Sequence, residues 1–193
     1  MKSTLKIIFI CLGVSFLFRG ICYTQNFSKN SLEFGIGAGI SEGRRTMGGG
    51  GIISVGYQRN LWKDRLRLNP SLTIGHFSSK HILDISDQWF NSFNLETILY
   101  FDLVRIRAFS LTLGAGGVVN NIRGLLGTGG DPPPATDSEY VSNWHFGGYF
   151  GGGFRINPKN SPVAIEIMPM NFHVGSDSFM EGFAEIGIDV KLK

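Results

Sequence analysis

Between residues 32 and 192 the chain alternates apolar with small or polar positions in short runs separated by turn residues. Alternation with period two marks a strand with two chemically different faces. In Leu32-Glu33-Phe34-Gly35-Ile36-Gly37-Ala38-Gly39-Ile40 every second residue is apolar, and the residues between are glycine with one glutamate. A half-wet strand of a soluble sheet would carry Lys, Thr and Glu at those places. Glycine suits the crowded inside of a narrow closed barrel whose apolar face meets lipid.

The pattern predicts eight strands, at residues 32–41, 51–60, 65–76, 89–102, 105–119, 141–157, 163–174 and 179–193. Parity assigns an outward set such as Ile53, Val55, Leu72, Ile74, Leu95, Leu99, Leu111, Leu113, Phe150, Phe154, Ile186 and Ile188. The intervening inward set is small or polar. Pro70 falls on the outward face of the third segment, where it predicts a bulge or a missing ladder bond. The connections at 61–64, 103–104 and 158–162 are short, whereas those at 42–50, 77–88 and 120–140 are longer. Short turns on one rim and long loops on the other fit an all-β, eight-stranded antiparallel up-and-down transmembrane β-barrel with both termini at the periplasmic rim. Gly129-Gly130-Asp131-Pro132-Pro133-Pro134 reads as loop, and so does the glycine run 48–51. No lysine followed by Ser or Thr accompanies that run, so it is not read as a phosphate-binding loop.

Residues 1–24 read as a signal peptide, leaving 25–193 as one barrel domain. Lys2 and Lys6 precede the apolar run 7–18, which is too short to span a bilayer, and Cys22 and Thr24 suit cleavage after Thr24. Two other readings of this end are an N-terminal anchor and a lipoprotein signal ending at Cys22. Arg19 closing so short a run opposes the first, and Ile21 before the cysteine opposes the second.

Removing residues 1–24 takes three basic residues and no acid, so 15 of the 18 Lys and Arg remain against 15 Asp and Glu. The mature chain is then near neutral, and nucleic acid is not an expected partner. Both cysteines, Cys11 and Cys22, leave as well, which excludes disulfides, thiolate metal sites and Cys nucleophiles from the mature domain.

Ionisable residues sit on the inward face at Glu33, Arg67, Glu96, Arg155, Glu166, Glu185, Asp189 and Lys191. Buried charges need partners, so these predict an internal network that closes the lumen. A narrow gated pore is the alternative, which an eight-stranded interior filled by side chains disfavours. The four histidines, His76, His81, His145 and His173, show no metal-ligand spacing and are expected at the surface or the rim. No cofactor, metal or catalytic residue is expected.

On this strand pattern the chain resembles the small outer-membrane barrels of the OmpA, OmpX and opacity-protein group. The resemblance is one of architecture and covers the whole mature chain. Gly187-Ile188-Asp189-Val190-Lys191-Leu192 is similar to the last-strand pattern read by barrel assembly machinery in that group, although the chain ends on Leu192-Lys193 and not on an aromatic. The resemblance implies an outer-membrane location, contact with outer-membrane lipid and lipopolysaccharide, a protein partner at the surface loops, and a structural or surface-interaction role. Nothing in the sequence resembles a periplasmic peptidoglycan-binding domain.

Gly75-His76-Phe77-Ser78-Ser79 also resembles the His-x-Ser-Asn motif of lipid A 3-O-deacylases, which are themselves eight-stranded barrels. That resemblance would imply His76 activating Ser78 against a lipid ester. Ser79 stands where the motif has Asn, and Glu96, which would have to orient the histidine, falls on the inward parity.

Overall fold

The computed structural model describes residues 29–43, 46–62, 65–80, 88–128, 137–158 and 161–192. The signal peptide, His81, residues 129–136, Lys159, Asn160 and Lys193 lie outside the described residues.

Eight strands follow one another: β1 (Asn30–Gly43), β2 (Thr46–Trp62), β3 (Leu66–Ser78), β4 (Trp89–Ile106), β5 (Phe109–Thr128), β6 (Asp137–Ile156), β7 (Val163–Gly175) and β8 (Met180–Lys191). Each pairs antiparallel with the next, and β8 returns to pair with β1 from Ser31↔Lys191 to Glu42↔Met180. The sheet is a closed up-and-down barrel. Strands run from 12 residues in β8 to 20 in β5 and β6, far beyond the roughly 5–6 usual in soluble sheets.

The apolar face points out. Ile36 is 69% exposed and Leu95 62%, while Arg67, Glu181 and Asp189 inside are fully buried. The inward glycines make room for large inward neighbours. A Cβ at Gly114 would lie 2.6 Å from the Tyr100 ring and 3.1 Å from that of Tyr149.

The strands extend further than the alternation predicts. The glycines at 48–51, read as loop, are strand: Gly49 pairs with both Ile40 and Ser78. Glycine is required at Gly50, where a Cβ would strike the backbone carbonyl of His76. Much of the expected loop at 120–140 is also strand, paired from Asn120↔His145 to Thr128↔Asp137. The turn expected at 103–104 lies at Arg107–Ala108, between the paired Ile106 and Phe109. Leu103 is instead a bulge in β4, and Arg107 takes the left-handed conformation of the tight turn (φ 55°).

Opposite Pro70 and Asn69 the β2–β3 ladder has a gap, and its register is the same on both sides. The proline removes a ladder bond and adds no bulge. A true bulge lies in β7. Between Met168 and Asn171 the register shifts by one residue against both β6 and β8. Pro169, which has no N–H to donate, sits in this extra residue's step.

Candidate functional site

The lumen gathers the titratable side chains, and it is filled at three levels. Near the rim that carries the termini, six charges alternate in sign across the barrel. Arg105 on β4 pairs with Asp102 Oδ2 at 2.7 Å, and Asp102 Oδ1 meets Arg67 of β3 at 3.2 Å. Arg67 also pairs with Glu166 of β7. Glu166 faces Arg155 Nε of β6 at 2.9 Å, and Arg155 pairs in turn with Asp189 of β8. Thr112 donates to Asp102 at 2.9 Å, and the Arg67 guanidinium lies 5.3 Å from the Tyr100 ring centroid.

The sequence produces this level because Arg155 and Glu166 are cross-strand partners beside the β6–β7 turn, while Asp189 pairs with Ala164, two residues before Glu166. Three cations face three anions, so no charge in the set is isolated in a low-dielectric interior.

In the middle of the barrel neutral donors hold Glu33, Glu185 and Glu181. Asn69 donates to Glu33, and Ser54 donates to Glu185 at 2.6 Å. Ser92 and Asn94 donate to the two oxygens of Glu181 at 2.8 and 2.9 Å, and Asn120 backs both. His173 lies between Glu96 and Glu181, 3.5 Å from each. Tyr149 donates to Asn171 at 2.5 Å. Glu33, Glu96 and Glu185 border a cavity of about 20 Å³, which is room for a single water molecule.

Towards the opposite rim the lumen is apolar. Ile52, Phe77, Phe90, Ile122, Leu126, Val141, Phe179 and Phe183 form one buried cluster, with Phe77 stacked on Phe90 at 5.5 Å. His145 stacks on Phe179 at 5.2 Å. The inward face is therefore not small and polar throughout, as the alternation predicted. It ends in an apolar cap.

Of the eight residues expected inside, Arg67, Arg155, Glu166 and Asp189 share the charged level, and Glu33, Glu96 and Glu185 stand in the middle. Lys191 is apart from both. It sits at the rim and donates to the carbonyls of Ser161 and Pro158 at 2.8 and 3.4 Å.

Asp102, Arg105, Glu181 and His173 complete the set; Asp102 was expected on the inward face though not in the charge network, and the other three were not expected there. Asp102 and Glu181 lie on the inward parity and were legible. His173 was not, because even numbers face inward in β7 up to Met168 and odd numbers after the bulge. His145 and His173 are thus buried, against the expectation of surface or rim histidines, and His76 is exposed.

His76 Nδ1 and Asn91 Oδ1 are 2.8 Å apart on the outside of the barrel, whereas Glu96 faces the lumen. The His-Ser-Glu arrangement of a deacylase is not assembled by these residues. Among the described residues no group of three or more His, Cys, Asp or Glu is arranged to hold a metal ion.

No protein-family model matches this sequence, and comparison with curated proteins finds no relative. Solved structures do match. The chain is similar to Neisserial surface protein A (NspA), with 14% identity, a TM-score of 0.55, and 86% of this chain and 98% of that one covered. It is similar to Ail, the attachment invasion locus protein of Yersinia pestis, with 12% identity, a TM-score of 0.52 and coverage of 85% and 98%. Ail has also been solved in complex with the heparin analogue sucrose octasulfate. The N-terminal β-barrel domain of Pseudomonas aeruginosa OprF matches at 13% identity and a TM-score of 0.50, covering 84% and 97%. At these identities the likeness is one of fold: the small eight-stranded outer-membrane barrel.

Proposed function

We propose that the chain is an exported outer-membrane β-barrel with a closed lumen, serving as a structural or surface-interaction element. The observation that carries this reading is the charge level, a sign-alternating chain from Arg105 to Asp189 that crosses the interior and is almost wholly buried. A conducting path would require those pairs to part, and each separated partner would be left as a buried lone charge.

The outside supports the location. From Phe109 to Val119 the outward residues of β5 lack charge. Ten residues at about 3.3 Å each, tilted by about 40°, cover about 25 Å along the axis, the height of a barrel's apolar band. Exposed Trp89, Tyr140 and Trp144 stand towards one edge of this face and Tyr57 and Trp62 towards the other, as in an aromatic girdle. Val190 and Leu192 at the C-terminal strand are the residues that assembly machinery would read.

Cell fractionation with gel migration tests the reading. The protein is expected in the outer membrane and should migrate faster before boiling than after it. A protease-sensitive tag placed within residues 131–136 should be cleaved on intact cells, and one at 159–160 should be protected. A soluble or inner-membrane protein, or equal protection of both tags, would overturn the location or the orientation.

A further inference from the structure

One row of outward positions breaks the apolar face. The ladder aligns Gly51 of β2, His76 of β3, Asn91 of β4, Arg123 of β5 and Ser142 of β6 as successive cross-strand partners. Arg123 lies four residues beyond Val119, where the apolar band of β5 ends, and towards the rim away from the termini. His76 and Arg123 are exposed. Among the described residues Arg123 makes no ion pair. No acid stands in this row or in the adjacent outward rows, which hold Ile53, Ile74, Phe93, Asn121 and Trp144 on one side and Gly49, Ser78, Trp89, Leu125 and Tyr140 on the other.

The chemistry of the row is that of an anion site facing lipid. Asn91 is flanked by His76 and Arg123 on its two neighbouring strands, and adjacent cross-strand side chains are about 4.5–5.5 Å apart at Cβ. His76 Nδ1 donates to Asn91 Oδ1, and among the described residues the Asn91 amide nitrogen meets no acceptor. Arg123 supplies a planar fork that matches two phosphate oxygens. Trp89 and Trp144, on the flanking rows, have rings suited to the headgroup layer. An unpaired arginine at the edge of the hydrocarbon is costly unless an anion meets it.

We propose that Arg123 and the Asn91 amide, which His76 orients, bind a phosphate group of an anionic glycolipid of the lipid A type, in the leaflet facing the rim away from the termini. This inference rests on the membrane reading above.

The test uses the mature chain folded into phosphatidylcholine vesicles that contain either diphosphoryl lipid A or the same lipid with its phosphates removed. Lipid retained after extraction is read by native mass spectrometry. The parent should retain the phosphorylated lipid and not the dephosphorylated one, and inorganic phosphate should not displace it. R123Q should lower retention roughly tenfold, the scale of losing one charge-assisted pair. N91L should lower it as well. R107E, a charge change at the opposite rim, should leave retention unchanged.

Unboiled gel migration checks that every variant is folded. Equal retention by R123Q and N91L in folded barrels, or equal retention of the phosphate-free lipid, would overturn the inference and leave the membrane reading standing. Displacement by inorganic phosphate would replace the lipid with a free anion as the ligand. A parent that inserts into no vesicle would overturn both readings.

Discussion

Glu166 is the side chain on which the charged level turns, because it meets Arg67 from β3 and Arg155 from β6 through the same oxygen. Replacing Arg155 or Glu166 alone by Met should destabilise the barrel by about 3–5 kcal/mol, since each change strands a buried charge. The double replacement should cost less than the sum of the two, because the two residues are in direct contact. Urea titrations of vesicle-folded protein read all three values, and full additivity would mean that the pair does not interact. Gly114 makes a second, steric case. Gly114→Val should cost about 1–3 kcal/mol by overpacking, and Tyr100→Leu in the same chain should recover part of it, because Tyr100 supplies the nearest atom. Parity alone was enough to place Arg155, Glu166 and Asp189 on one face. It could not reveal that Glu33 and Glu185 are satisfied by Asn69 and Ser54, since neutral donors carry no signal in a charge pattern.

Strands were legible by kind and less so by extent, and the reason is local in each case. Gly48 to Gly51 lacks the side chains that make alternation visible, although all four pair with β1 and Gly49 to Gly51 pair with β3 as well. Leu103-Val104 lies at a bulge, which mimics the end of a strand in the pattern. The step at Pro169 hides most, because it exchanges the faces of everything after it in β7. Deleting Pro169 should remove the extra residue and leave Asn171 and His173 facing the lumen, because Met168 and Asn171 would then stand two positions apart. The heat-modifiable barrel should therefore still form, as it should with Pro169→Ala, which keeps the residue count. Loss of the folded barrel on deletion alone would show that β7 needs the bulge itself. On β5 the faces follow simple alternation, so Leu111→Arg should impair folding by about 2–4 kcal/mol if that position lies near the bilayer midplane. Vesicle folding equal to the parent would contradict the outward assignment of Leu111.

Across the whole barrel, three levels of side chains act in series: the alternating charges near the termini, the hydrogen-bonded acids in the middle, and the apolar cluster under the far rim. The eight-strand count was legible because alternation recurs at nearly regular intervals and turn residues separate the copies. The apolar cap was not, because Phe77, Ile122 and Leu126 fall inside expected loops and Phe90 beside one, where hydrophobic residues carry no parity. The central claim is closure, and ion conduction tests it most directly. Mature protein inserted into a planar lipid bilayer, in high salt and under applied voltage, is expected to give no discrete current steps. Reproducible unitary steps that scale with the number of inserted barrels would contradict a closed lumen.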